Sequence, residues 1–228
     1  MRIAVLHHRC RGEATADVAA LVEAARSACK QDAEVIVFPR PPSLAGMPID
    51  EREALLADID GCVEGVALLV SFAADDDTTG RITATPLGTT ALVSGDACLR
   101  AATAARIKEA RVNAGVWRPG AESELQAEAV LEYALGCAPV LAGLLVLAEC
   151  SGTTGHSAHS GTSAIIHLGE LLAESVSADD EILMVDVEVP LPAPESDLPL
   201  PGLTPLLVQR LAAHDGHKAP VDYPADLT

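Results

Sequence analysis

Two short sets of histidine and cysteine carry ligand chemistry. His7-His8-x-Cys10 ends the first apolar stretch, and Cys150 precedes His156-x-x-His159 in a run of serine and glycine. Imidazole nitrogen and thiolate sulfur suit zinc or a similar metal. Strand geometry, however, sends His7 and His8 to opposite faces. That leaves His8, His156 and His159 as the metal candidates, against the plainer reading of one buried histidine, one exposed histidine and a loop. The expectation is no metal and no cofactor. Cys98 follows Gly95-Asp96-Ala97 at the start of a helical stretch. A helix N-terminus would lower its thiol pKa and make it a nucleophile, with Asp96 the nearest acid; the alternative is a small buried side chain. Arg40, with Arg9, could hold an anionic ligand, or Arg40 could pair with Asp96 or another acid. Arg40, Asp96 and Cys98 are therefore the ligand-binding candidates. Asp75-Asp76-Asp77 lacks the closing glutamate of a calcium loop and reads as a solvated turn.

The elements that must position these residues follow from periodicity. Residues 2–8 read as a buried strand, and 13–30 carry apolar residues at helical spacing. Residues 33–38 (AEVIVF) form the next strand, ended by Pro39 and the Pro41-Pro42 pair. This strand–helix–strand unit predicts a parallel pair. A helix over 49–63 and a strand over 65–72 follow, then a turn at 75–80 joining two antiparallel strands, and residues 81–86 and 90–93 continue the sheet. Residues 97–114 read as helix, 115–117 as a short strand and 122–136 as helix. After Pro139, residues 139–148 read as strand and 151–161 as a small-residue loop. Residues 163–167 and 170–175 make a hairpin about Gly169, and 182–189 form a last strand. Helices alternate with strands early, and antiparallel strands come later. The expectation is an α/β (α+β) layered architecture with a mixed sheet.

Composition bounds the function classes. Forty-nine per cent of the 228 residues are hydrophobic, enough for a sizeable core, yet only two Phe, two Tyr and one Trp are present. The core must be Ala, Val, Leu and Ile packing. Thirty-three Asp and Glu against 15 Lys and Arg give a formal charge of −18. Such a field repels nucleic acid and anionic lipid. The first residues begin directly as a strand rather than a signal peptide, and the apolar run 138–148 is too short to span a bilayer. A cytoplasmic protein with reduced thiols is expected. Beyond residue 189 the composition changes. Six prolines between 190 and 205 mark residues 190–228 as an extended tail, packed on the surface or on a dimer partner, behind a domain at 1–189.

Several stretches, in order, resemble the nitrilase, or carbon–nitrogen hydrolase, superfamily: RIAVLHH with AEVIVFP and a following LAG, TPLG leading into SGD, VNAGVWRPG, the helix around AVLEYA, and SGTSAIIHLGELLAES followed by EILMVDVEV. They span about residues 1–189. The resemblance implies an αββα sandwich with mixed sheets, four layers deep, and a homodimer packed through helical faces. It also implies a reaction in which a cysteine thiolate attacks an amide or nitrile carbon, a glutamate moves the proton, and a lysine stabilises the negative charge.

The three groups are missing at the matching positions. Arg40 stands where the glutamate follows Phe-Pro, and a guanidinium cannot act as a base. The nucleophile position falls on Ser94, or on Gly95 one residue on. The segment that would carry the lysine, 73–85, holds none, and Arg81 is its one cation. Ser163, in the Gly-x-Ser strand, corresponds to a structural serine. Triad members act as a unit, so a chain without all three should retain little activity. The leading reading is a nitrilase-fold protein inactive toward amides and nitriles, with a structural or small-molecule-binding role. The alternatives are an active amide hydrolase using Cys98 or Ser94, and a metal-binding protein.

Overall fold

The computed structural model describes residues 1–44, 47–63, 65–69, 81–94, 101–120, 124–154, 157–175 and 177–188. The strands are β1 (Arg2–Cys10), β2 (Val35–Val37), β3 (Ala67–Leu69), β4 (Arg81–Thr85), β5 (Gly88–Ser94), β6 (Ala114–Arg118), β7 (Leu144–Leu147), β8 (Cys150–Thr154), β9 (Ser157–Ser160), β10 (Ala164–His167), β11 (Glu170–Glu174) and β12 (Glu181–Asp186). The helices are α1 (Ala14–Cys29), α2 (Ile49–Cys62), α3 (Ala101–Ala110) and α4 (Glu124–Leu141).

The strands form two six-stranded sheets. The first runs β3-β2-β1-β8-β9, with β12 also paired to β1, and the second runs β11-β10-β7-β6-β5-β4. Strand β1 organises the first sheet. It pairs in parallel with β2, lies antiparallel to β12 over Arg2–His7, and hands its last three residues to β8 in parallel. Both faces of β1 are covered, which is why its sequence is a continuous apolar run rather than an alternation.

Three apolar layers result. Ile3 and Val5 of β1 meet Val116, Leu144 and Val146 of the second sheet between the two sheets. Ala4 and Leu6 face the other way, onto Leu21, Ala25 and Ala28 of α1 and Ile59 of α2. On the far side, Val130, Ala134, Cys137 and Leu141 of α4 cover the second sheet, and Tyr133 meets Trp117 edge-on at a ring-centroid distance of 6.2 Å. The order is helix, sheet, sheet, helix, the αββα sandwich that the resemblance implied. Alanine-rich helix faces explain how so few aromatics suffice.

Three element assignments are corrected. Residues 139–141 belong to α4, not to a strand, and β7 starts at Leu144. Pro139 forgoes one helical hydrogen bond, but the burial of Ala138 and Leu141 against the sheet holds the last turn in place. The helix expected over 97–114 ends at Ala110, because Arg111 turns left-handed (φ 49°) and the chain enters β6 at Ala114. The expected loop at 151–161 is mostly the β8–β9 hairpin. Its small residues mark close strand packing: a Cβ on Gly152 (φ +93°) would lie 2.9 Å from the Cys10 carbonyl oxygen. The turn at 75–80 and the tail from 190 lie outside the described residues.

Candidate active site

The C-terminal ends of β2, β5, β6 and β7 meet at one end of the sandwich, where the first sheet's β1 also ends. Phe38-Pro39-Arg40 leaves β2, Ser94 ends β5 opposite Arg118 of β6, and Glu149 follows β7. Arg118 is the best-defined group there. It is 4% exposed, and its Nε donates to the Phe38 carbonyl at 2.9 Å, which ties the two sheets together. Burial pulls its pKa down to about 10; the Glu149 charge offsets part of this, and Arg40 adds to the lowering.

Glu149 is equally buried, and its Oε1 accepts from the Gly120 amide at 2.8 Å. Its backbone N–H donates to Ser163 Oγ at 3.0 Å, and that oxygen also lies 3.0 Å from Nδ1 of the buried His7. Ser163 therefore bolts β10 to the end of β7 and to β1, a structural role as expected. The fit is close enough that a Cβ on Gly161 would run into Glu149 and the Cys150 carbonyl.

His7 and His8 do point to opposite faces. Burial holds the His7 pKa below its ordinary value, although Glu181 pulls the other way. The unfolded chain thus binds the extra proton more readily, so the His7 contribution to stability is complete above about pH 6.5 and is lost as pH falls below it. Urea midpoints are expected to drop from pH 7 toward pH 5, and a His7→Gln variant should show a flatter profile over that window. An unchanged profile would mean that His7 does not titrate with folding.

His8 faces α1. Its Nε2 is 2.9 Å from Asp17 Oδ1, and its Nδ1 is 2.9 Å from Asp180 Oδ1. Asp17 also accepts from the Arg11 amide (2.7 Å) and from Ser43 Oγ (2.6 Å). Burial raises the Asp180 pKa, but the Arg9 amide and the Arg11 guanidinium outweigh it and hold the group below the usual carboxylate range. His8 is thus engaged by acids on both sides rather than held as a ligand.

The sequence candidates separate as follows. Arg40 is half-buried at the rim of the site and close enough to Arg118 to repel it. Arg9 turns away to Asp179 at the surface (2.6 Å), so it does not assist Arg40. Gly95, Asp96, Cys98, Asp75–Asp77 and His156 lie outside the described residues, as does the segment expected to lack lysine through residue 80. His159 sits on β9, paired with Gly152. Among the described residues, no group of three or more His, Cys, Asp or Glu gathers as a metal site. Cys10 and Cys150, read from sequence as members of a larger set, do meet: the Cys10 thiol, which hydrogen-bonds to it, and then burial raise the Cys150 pKa well above the ordinary thiol value.

Arg118 and Glu149 went unnoticed in the sequence. The signal was present, since each is a lone charge at the end of an apolar strand, Arg118 before Pro119-Gly120 and Glu149 after the apolar run 138–148. A charge placed there must be buried, and a buried charge needs a reason.

No helix among the described residues is long and apolar enough to cross a membrane. No protein-family model matches the chain, and no curated protein does. Solved structures match well. The amidase from Nesterenkonia sp. AN1 aligns with 82% of this chain and 93% of its own, at TM-score 0.64 and 16% identity. A variant of it, described as an amidase from the nitrilase superfamily, aligns at TM-score 0.65 and 15% identity over 82% and 92% of the two chains. Another carries the acetamide moiety of fluoroacetamide on its active-site cysteine and aligns at TM-score 0.65 and 14% identity, over 82% and 90%. With its helix–sheet–sheet–helix layering and this near-complete overlap, the chain has the fold of the nitrilase-superfamily amidases.

Proposed function

We propose that this chain is a member of the nitrilase superfamily that does not hydrolyse amides or nitriles by a glutamate–lysine–cysteine mechanism and instead keeps the pocket for binding. One observation carries the reading. Where the superfamily's base would follow the Phe38-Pro39 strand end, the chain places Arg40, beside the buried guanidinium of Arg118. A general base must accept a proton at working pH, and a guanidinium does not. Arg40 and Arg118, only the second of which is offset by Glu149, leave a net positive charge there that favours a ligand with negative charge. Ser94, at the β5 end, adds support, because a serine hydroxyl is a weaker nucleophile at neutral pH than the cysteine thiolate the superfamily uses there.

The test is turnover. The purified chain should release ammonia from acrylamide, butyramide or acetonitrile no faster than buffer, and Ser94→Ala and Cys98→Ala should leave that background unchanged. Turnover in the ordinary enzymatic range of about 1 per second or more, abolished by either substitution, would replace this reading with an active hydrolase. The homodimer implied by the resemblance belongs to the same proposal, and light scattering on the eluting protein decides it.

A further inference from the structure

We propose that Cys10 and Cys150 form a two-thiolate site for one cuprous ion. Strand register brings them together. His8 pairs with Cys150 and Cys10 with Gly152 on parallel strands, so Cys10 and Cys150 are diagonal neighbours on one face of the first sheet. Both are buried, and neither is in a disulfide. The strand spacing and a two-residue rise put their Cα atoms roughly 8 Å apart. That is too far for a disulfide without backbone movement. It suits a sulfur–metal–sulfur bridge, whose sulfurs stand about 4.6 Å apart at ordinary metal–thiolate lengths.

The ligand count selects the metal. Zinc wants four ligands, and no group of three or more His, Cys, Asp or Glu exists among the described residues. His8, on the same face, is engaged by Asp17 and Asp180. Two soft sulfurs alone fit a soft d10 cation that accepts linear coordination, and Cu(I) is the biological one. Binding exchanges two S–H bonds for two Cu–S bonds, releases two protons, and leaves the copper oxidation state unchanged. The product carries one net negative charge. Of the charges that act on Cys150, Arg118 favours that product, while Glu149 and Asp17 oppose it. Because binding displaces two thiol protons, affinity rises with pH, by up to about 100-fold per unit. The inference does not depend on the proposed function.

The experiment titrates the reduced, full-length chain under anaerobic conditions with Cu(I) held by bathocuproine disulfonate and follows loss of the chelator complex's colour. One equivalent should transfer, more tightly at pH 8 than at pH 6. Cys10→Ser and Cys150→Ser should each weaken binding at least 100-fold, and Cys137→Ser on α4 should not. X-ray absorption of the copper-loaded wild-type chain counts the ligands without relying on any variant. Two sulfurs in a near-linear arrangement support the site. No transfer of copper, a three- or four-ligand spectrum, or full binding by folded Cys10→Ser would overturn it.

Discussion

Asp17→Ala should cost about 3–5 kcal/mol of unfolding free energy, the size expected when a buried carboxylate that holds several donors is removed. Asp17 is fully buried on the first turn of α1 and receives three hydrogen bonds: from the His8 ring, the Arg11 amide and Ser43 Oγ. Alanine would leave three donors without an acceptor in a place water does not reach, and each orphan costs about 1–3 kcal/mol. The three come from β1, the segment after it, and the 3-10 turn Pro42–Leu44, so one carboxylate fixes where the helix sits on the sheet. Asp17→Asn keeps one acceptor oxygen at similar volume and should lose roughly half as much. The readout is the urea midpoint at pH 7 with an unchanged slope. For a domain at the low end of ordinary stability, about 5 kcal/mol, the alanine variant would be close to unfolding at 37 °C. A loss under 1 kcal/mol would show that the network is incidental to folding.

That network also shows what the sequence discloses and what it hides. Strand β1, helix α1 and strand β2 are legible because each has one period and one job: a buried apolar run, an amphipathic stripe, and an apolar run closed by proline. The β10–β11 hairpin is legible because Gly169 (φ +86°) punctuates it. The β8–β9 hairpin is not. Its composition is that of a loop, and it becomes a strand only because β1 extends past β12 and offers unpaired backbone to Cys150–Gly152. Pairing across 140 residues of sequence leaves no local mark. The same holds for Asp17, an unremarkable acid in a helix until His8 and Ser43 arrive beside it. In the candidate site, Arg40 and Ser94 could be placed because they sit next to Phe38-Pro39 and after the Pro86-Leu87-Gly88 turn. Arg118 and Glu149 could not be paired, because their proximity depends on adjacent parallel strands ending at the same level.

Glu149→Gln should destabilise the chain by about 3–5 kcal/mol, because it leaves the Arg118 guanidinium buried without its offsetting charge. Glutamine can still accept from the Gly120 amide, so the loss reads the charge rather than the hydrogen bond. Arg118→Met should also destabilise, since the Phe38 carbonyl loses its donor and Glu149 loses its cation. The double variant carries neither charge. It should lie within about 1–2 kcal/mol of wild type, the remainder being the lost hydrogen bond to Phe38. The cycle would then give a coupling at least as large as the Glu149→Gln loss itself, about 3 kcal/mol or more, a size reached only by groups that interact directly or through a shared partner. Strict additivity would mean that the two charges do not sense each other. The double variant bears on function as well. Even with Glu149 opposing the effect, burial leaves the Arg118 pKa lowered to about 10, which says that holding this charge inside costs the fold free energy. If the uncharged pair folds nearly as well as the wild type, stability does not explain why Arg118 and Glu149 are there, and their place beside Arg40 at the strand ends accords with the proposed binding role. If the wild type binds a small anion, a double variant that folds but no longer binds it would tie the buried charge to that role.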